Sequence, residues 1–142
     1  VPNQFGLVGG EANAIEPGKR MLSSMTPTIV EKDGELFLVV GSPGGSTIIT
    51  TVAQVIVNLI DREMSLRQAV DVPRIHHQWL PDMIFHEPGA LTLDAVIELD
   101  GMGHDQKERT RIGRVNAIRR LPDGSLLGVH DDRRGDGQAA GY

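Results

Sequence analysis

A glycine-rich segment, Gly41-Ser42-Pro43-Gly44-Gly45, has residue types that point directly to chemistry. It lies between a strongly apolar run and a run with helical spacing. Glycines let a backbone approach a ligand closely and adopt positive φ, and the first N–H groups of a helix have no partner within that helix. Such donors, aided by the helix dipole, can bind an anion or stabilise a negative charge that develops during a reaction. A tight strand-to-helix turn without a ligand is the simpler alternative.

A second candidate site is the pair of hydroxyls at Ser23 and Ser24, which precede a predicted strand. Hydroxyls can donate hydrogen bonds to a carboxylate without carrying charge. Lys19 or Arg20 could add a charge-assisted contact to the same ligand. The alternative is that the serines cap a turn and that both cations are solvated.

A nucleophile and metal ligands are harder to identify. No cysteine occurs, which excludes a thiol nucleophile, disulfide bonds and Cys-ligated zinc. Val1 has neither a hydroxyl nor a thiol, so it cannot act as an N-terminal nucleophile. No two histidines have the i, i+4 spacing of a helical metal site, and neither a metal nor another cofactor is predicted. All five are interpreted as structural or surface residues: His76, His77, His86, His104 and His130.

Length and charge exclude several classes of protein. The 142 residues correspond to one domain. Fourteen Lys and Arg against nineteen Asp and Glu give a net charge of −5, which argues against a nucleic-acid partner or an anionic membrane. No run of about 18 apolar residues predicts a transmembrane helix. The charged cluster Asp131–Arg134 is interpreted as a solvated or self-paired end, or alternatively as a latch to a partner chain.

The elements around the glycine segment can be predicted from apolar spacing and turn residues. Asp33-Gly34 lies between two strand-like runs, Thr28–Lys32 and Glu35–Val40, and predicts a hairpin. The second strand is nearly all apolar, which is typical of a strand buried on both faces. A helix follows as far as Ile60, with Ser46 or Thr47 as its N-cap.

The rest of the chain is predicted to contain two further helices and a second hairpin. Their order along the chain, strands then helices then strands, indicates an α+β fold with helices on an antiparallel sheet. Ser65 begins a helix that Pro73 ends, and Thr92–Leu99 forms a short helix with Leu93, Val96 and Ile97 inward. The remaining predicted strands are Met83–His86, Arg114–Leu121 and Ser125–His130.

Two motifs give a resemblance to a known family. The segment Pro17–Val30, with the sequence PGKRMLSSMTPTIV, and the Gly41–Gly45 segment resemble the γ-glutamyltranspeptidase family in order and separation. The resemblance covers essentially all 142 residues. Further similar stretches are Pro2-Asn3, Gly9-Gly10-x-x-Asn13 and the end from Asp132 to Tyr142.

The resemblance implies an N-terminal-nucleophile hydrolase fold, an αββα sandwich of antiparallel sheets covered by helices, of which this chain is a part. It implies an autoprocessed precursor whose new N-terminal Thr attacks a γ-glutamyl amide such as glutathione. The γ-glutamyl group then passes from the acyl-enzyme to water or to an amino acid or peptide acceptor. In these terms Ser23 and Ser24 hold the substrate carboxylate, and Gly44 and Gly45 form the oxyanion hole.

The family's catalytic Thr and its acidic motif for the substrate amine lie upstream of Val1. The chain is therefore expected to be a single domain over 1–142, the C-terminal part of the small subunit, and inactive alone. Its expected partners are the rest of the precursor or large subunit, a glutathione-like substrate and an acceptor, with a homodimer possible for an isolated fragment. The family implies a periplasmic or extracellular location.

Other functions are compatible with the same residues. A related acylase of glutaryl or polyglutamyl amides belongs to the same class of enzyme. A non-catalytic module that binds carboxylates or other anions could use the same glycine segment. In a purely structural domain, both motifs would be turns only.

Overall fold

The computed structural model describes residues 2–133 and 137–141. Val1, part of the charged cluster (Arg134), and Gly135, Asp136 and Tyr142 of the similar C-terminal stretch lie outside the described residues. Short 3₁₀ turns occur at Glu11–Asn13 and Gly45–Thr47. The helices and strands are β1 (Thr28–Lys32), β2 (Glu35–Gly41), α1 (Ile48–Ile60), α2 (Leu66–Asp71), β3 (Ile75–His76), β4 (Ile84–His86), α3 (Leu93–Gly101), β5 (Gln106–Glu108), β6 (Asn116–Arg120) and β7 (Leu126–His130).

The main sheet is antiparallel and has the strand order β1-β2-β6-β7. The β1–β2 turn is formed by Asp33 and Gly34, both of which have positive φ (56° and 78°), as the predicted hairpin turn requires. The β6–β7 hairpin is also confirmed. With helices packed on this antiparallel sheet, the predicted α+β class is confirmed.

The hydrophobic core lies between one face of the main sheet and two helices. Because strand side chains alternate between faces and Val40, Ala117 and Val129 are register partners, these three residues lie on one buried face of the sheet. α1 and α2 cover this face. The core contains Leu38, Val40, Ala117 and Val129 from the sheet, Val52, Val55 and Leu59 from α1, and Leu66, Ala69 and Val70 from α2.

The opposite face of the same sheet is open. Ile29, Val39 and Ile118 are register partners across β1, β2 and β6, and all three are exposed. The prediction that the apolar strand β2 is buried on both faces is therefore wrong for the described chain. Its continuous apolar run supplies a second apolar face that no described helix or strand covers, although the segment 138–140 lies along this face beside Gly128.

α1 begins differently from the prediction. Neither Ser46 nor Thr47 caps the helix with its side chain, since the chain enters α1 through the 3₁₀ turn and Thr47 already has helical φ and ψ (−77°, −9°). The hydroxyl of Thr47 instead donates to Gly44 O (2.9 Å). The predicted α2 is confirmed, with a capping box between Ser65 and Gln68.

The inward face of α3 was predicted incorrectly. Thr92 does cap the helix, accepting a hydrogen bond from Ala95 N–H. Leu93 and Ile97, however, are 74% and 61% exposed, and only Val96 of the three predicted residues is half-buried. Ala95, Val96 and Leu99 are the half-buried residues of this short helix, so apolar spacing alone did not identify its buried face.

A small second sheet has the order β3-β4-β5. β3 and β4 are antiparallel, whereas β5 pairs with β4 in parallel after the α3 crossover. None of the helices among the described residues has the length and apolar character needed to cross a membrane.

Candidate active site

The glycine turn, Gly44-Gly45, has a backbone that only glycine can adopt comfortably. Gly44 has φ +148° and Gly45 has φ +60°. A Cβ at Gly44 would lie 2.5 Å from Thr47 Oγ1, and a Cβ at Gly45 would lie 2.8 Å from the Phe5 ring. Both the backbone conformation and the neighbouring atoms therefore exclude a side chain.

Main-chain donors of this turn are unused within the described residues. The N–H groups of Gly44 and Gly45 donate no hydrogen bond to another described group, whereas Gly44 O accepts from Thr47 N–H (3.2 Å) and Thr47 Oγ1 (2.9 Å). The turn therefore presents consecutive free donors at the start of a helix while its carbonyl is held in place. Such an arrangement can stabilise an anion or an oxyanion.

The base of the turn is fixed by a second loop. Ser42 Oγ accepts from Arg114 N–H and donates to Pro43 O, both at 2.8 Å. Gly113, with φ +70°, packs so closely that a Cβ there would lie 2.5 Å from Thr51. Sequence reasoning missed Gly113, because a single glycine between Ile112 and Arg114 gives no signal of its long-range contact.

The structure brings one of the two predicted serines directly to the turn. Ser24 Oγ donates to Gly45 O at 2.9 Å. Ser23 is exposed, and its Oγ accepts a hydrogen bond from Met25 N–H (3.2 Å). Lys19 does not join them, since its ammonium contacts Glu11 O (3.1 Å) and Glu16 (3.5 Å).

Both serines line a cleft of about 390 Å³. The first residues of the 3₁₀ turn and of α1 form one side of the cleft, through Ser46 and Thr50. The segment 76–80, which sequence reasoning did not connect with the site, forms another. Ser46, the residue directly after the glycine pair, lines this cleft, whereas Gly44 and Gly45 themselves are not among its lining residues.

One histidine of the cleft wall, His76, is almost fully buried (2% exposed). Desolvation by burial lowers the pKa of His76 below its usual value, so the ring is neutral at pH 7. Elsewhere, His130 Nδ1 lies 2.7 Å from Asn116 Oδ1, and His77 pairs with Asp82. The residues that the structure describes contain no group of three or more His, Asp or Glu arranged to hold a metal ion.

The charged C-terminal cluster is self-paired and not solvated at Asp131, as one part of the sequence interpretation predicted. Asp131 is 0% exposed and Arg74 is 1% exposed, and they form an ion pair at 2.9 Å. Arg133 holds the other side of Asp131 (2.9 Å) and also Glu87 (2.8 Å). The self-paired interpretation is therefore confirmed for Asp131 and Arg133, and the alternative, a latch to a partner chain, stays a prediction.

Asp131 is the centre of this buried cluster. Burial by itself would raise the pKa of Asp131, but hydrogen bonds from Arg133 and Arg74 outweigh burial and lower its pKa to about 2. Glu87 accepts from the main-chain N–H groups of Arg74 (2.9 Å) and Ile112 (2.6 Å). The cluster therefore joins the C-terminal segment to the segments before β3 and β6.

Comparison with known proteins places these motifs in one family. The sequence model of the family described as Gamma-glutamyltranspeptidase matches residues 1–142. The Glutathione hydrolase proenzyme of Escherichia coli (strain K12) is 50% identical over 142 residues, which cover 100% of this chain and 24% of that relative. The Pseudomonas aeruginosa proenzyme of the same name is 48% identical and matches 96% of this chain and 25% of its own length. The chain thus spans about a quarter of the length of these curated relatives.

Solved structures show the same relationship in three dimensions. The T380A mutant of Helicobacter pylori Gamma-Glutamyltranspeptidase superposes with a TM-score of 0.89 at 50% identity, covering 94% of this chain and 74% of that chain. Cephalosporin acylase from Bacillus halodurans superposes with a TM-score of 0.81 at 28% identity, covering 91% and 24%. The predicted N-terminal-nucleophile hydrolase fold is thereby confirmed, and the chain belongs to the γ-glutamyltranspeptidase family.

Proposed function

We propose that this chain is the C-terminal part of the small subunit of an enzyme that cleaves γ-glutamyl amides such as glutathione. The γ-glutamyl group would pass through an acyl-enzyme to water or to an amino acid or peptide. The names of the E. coli and P. aeruginosa relatives support glutathione as a donor. The N-terminal Thr nucleophile of the family would come from the preceding part of the precursor.

The proposed mechanism assigns two tasks to this chain. Ser23 and Ser24 donate hydrogen bonds to the substrate α-carboxylate, which orients the amide carbon toward the nucleophile. As the nucleophile attacks, negative charge develops on the amide oxygen, and the N–H groups of Gly44 and Gly45 stabilise it. Thr47 and Ser42 hold the turn in this geometry before a substrate binds.

The observation that carries this proposal is the 2.9 Å hydrogen bond from Ser24 Oγ to Gly45 O. It joins the carboxylate-binding motif to the turn with free donors, although the two lie about twenty residues apart in the sequence. A substrate that bridges both groups need not be longer than one amino-acid side chain. A γ-glutamyl group has this form, with a carboxylate at one end and a reactive amide at the other.

The proposed macromolecular partner is the rest of the precursor. The open sheet face around Ile29, Val39 and Ile118 offers an apolar surface. The relatives are about four times as long as this chain, so other parts of such a precursor would be available to cover this surface. Burying such side chains would contribute about 1.5–3 kcal/mol each. We place the mature protein in the periplasm or outside the cell, which fractionation of the source cells would test.

The experiment uses the complete proenzyme that carries this chain and a γ-glutamyl anilide as donor. The Ser23→Ala/Ser24→Ala double variant should raise KM for the donor by at least about tenfold, because each lost hydrogen bond to a charged group costs about 1.5–3 kcal/mol. Ser125→Ala serves as the matched control, since Ser125 lies in the β6–β7 turn and its hydroxyl bonds only to Asp123 among the described residues. An unchanged KM in the double variant would remove the carboxylate-binding role.

A related acylase activity is the second candidate. It is favoured by the cephalosporin acylase similarity, which at 28% identity extends over 91% of this chain. A glutaryl amide lacks the α-amino group of a γ-glutamyl amide, so the two donors separate the activities. Faster turnover of the glutaryl donor would decide for the acylase, and faster turnover of the γ-glutamyl donor would decide against it.

A further inference from the structure

We propose that His76, together with Gln78 and Thr50, is a positioning residue that holds the glycine turn in its reactive geometry. The proposal rests on the proposed function, in which Gly44 and Gly45 form the oxyanion hole. His76 does not touch the turn itself. It acts through two series of hydrogen bonds and contacts, one from each nitrogen of its ring.

Gln78 determines which ring nitrogen carries the proton. Its side-chain Nε2 donates to Phe5 O (3.0 Å) and to Leu80 O (2.8 Å). The amide oxygen therefore faces His76 Nε2, at 2.9 Å. Since an amide oxygen can only accept, His76 Nε2 carries the proton and Nδ1 of the neutral ring is an acceptor.

The first connection runs from Nδ1 into the turn. Because Nδ1 is an acceptor, Thr50 Oγ1 donates its single proton to His76 Nδ1 (2.7 Å), and Thr47 O, 3.1 Å from the same hydroxyl, is a second acceptor for that proton. Thr47 in turn binds Gly44 O with both its N–H and its hydroxyl. Rotation of the first turn of α1 relative to β3 would break this series, and Gly44 would move with it.

The second connection runs from Nε2 through Gln78 to Phe5. Gln78 fixes the carbonyl of Phe5, and the ring of Phe5 occupies the space that a side chain at Gly45 would need. Phe5 lies in an otherwise irregular segment, so this amide contact is one of the restraints on its place beside the turn. His76 thus connects both sides of the glycine pair.

A histidine suits this position because it offers two directional hydrogen bonds on a rigid ring. The ring also stacks on Phe85, with centroids 6.4 Å apart and planes at 19°. The charged groups around it are Arg109, which packs on the same Phe85 ring, and the neighbouring His77. No carboxylate is among the groups that shift the pKa of His76.

The test is His76→Phe in the complete proenzyme, with kcat expressed per processed molecule. Phenylalanine keeps the ring and its stacking but removes both hydrogen bonds. We expect kcat to fall about tenfold while KM for the donor changes by less than about twofold, because a misplaced oxyanion hole affects the transition state more than substrate binding. Thr50→Val should also lower kcat. The two changes combined should cost less than the product of their separate effects, since both break one series.

Gln78→Leu is a second test of the positioning role in case His76→Phe fails to fold. Gln106→Leu is its matched control. Gln106 is also half-buried and donates from its amide to a main-chain carbonyl, Val96 O, but belongs to β5. Gln78→Leu should lower kcat and Gln106→Leu should not. Normal kcat in folded His76→Phe or Gln78→Leu protein would overturn the positioning role alone, as would a rise in KM without a fall in kcat. Absence of activity in the parent enzyme would overturn the proposed function as well.

Discussion

The glycine turn and the Arg74–Asp131 cluster both contain several polar groups, but they differ in how many of their hydrogen-bond donors have a partner. In the turn, the N–H groups of Gly44 and Gly45 donate to no described group. In the cluster, Arg74 donates to Asp131 and to the carbonyls of Val70 and Ile112, and Asp131 is bound by two guanidinium groups. The turn is held in place by its carbonyls, whereas the cluster is held by its charges.

Because of this difference, we expect the cluster to contribute to stability and the turn to contribute to function. A buried charge is tolerated only when it is paired, so the cluster joins segments and tolerates little change. Donors that remain free at a partly exposed turn contribute nothing to folding, but they are available to a ligand. Changes in the cluster should therefore alter the free energy of unfolding, and changes in the turn should alter kcat.

The largest effect is expected for Asp131→Ala. Removing this carboxylate leaves Arg74 buried without its charge partner, which should lower the free energy of unfolding by about 3–5 kcal/mol. Urea denaturation of the complete protein measures this loss. Asp132→Ala is the control, because Asp132 is exposed and its pair with Arg67 should contribute at most about 1 kcal/mol. Equal losses in the two variants would contradict the comparison.

Gly44→Ala should lower kcat by about 10²–10³, with a much smaller change in KM. The added Cβ meets Thr47 Oγ1 and the backbone has φ +148°, so the turn must change shape and lose an N–H donor. Gly101→Ala is the control, because nothing lies within 4 Å of a Cβ there. Steady-state kinetics of both variants is the measurement, and a Gly44→Ala enzyme with unchanged kcat would remove the oxyanion role.

Acid should weaken the cluster in a defined range of pH. Because the folded state holds the pKa of Asp131 at about 2, below the usual 3.8, its ionised form stabilises the fold fully above about pH 4. As the pH falls from about 4 to 2, the unfolded chain takes up the proton first, and about 2 kcal/mol of stability should be lost. Urea titrations across this range should show the slope in the parent protein but not in Asp131→Asn.

The smallest effect is expected for Ser42→Ala. This variant compares a residue whose hydroxyl is already paired with the free donors beside it in the turn. Ser42 is adjacent to the free donors, but its hydroxyl already bonds to Arg114 N–H and Pro43 O. Its loss should cost about 0.5–1.5 kcal/mol of stability and leave kcat within a few-fold of the parent. Thermal unfolding and kinetics on one preparation separate the two effects. A larger effect on kcat than on stability would place Ser42 among the functional residues.

Sequence reasoning predicted the parts of this fold that depend on local signals. The hairpin at Asp33-Gly34 and the capped helix after Ser65 follow from the conformational preferences of a few neighbouring residues. The serine pair and the glycine turn were also named from local residues, and the structure brings Ser24 into contact with Gly45.

Features that depend on distant partners could not be predicted. Arg74 and Asp131 are 57 positions apart, and a charged residue in a sequence is ordinarily exposed, so nothing local indicated a buried pair. The same applies to His76 and Gln78, whose importance comes from Phe5 and Thr50. The inward face of α3 was misjudged because Leu93 and Ile97 are exposed while Val96 and Leu99 are half-buried, and apolar spacing alone does not distinguish these two faces.

The hydroxyl of Ser24 has a single proton. At rest that proton is directed at Gly45 O, and a carboxylate that takes it must break this contact. Docking of the donor would then release the carbonyl of Gly45. The N–H group of this same residue is one of the two proposed donors to the reacting oxygen. Binding of the substrate carboxylate at Ser24 would thus change the hydrogen bonding of Gly45, at the other end of the proposed substrate site, through the loss of one hydrogen bond.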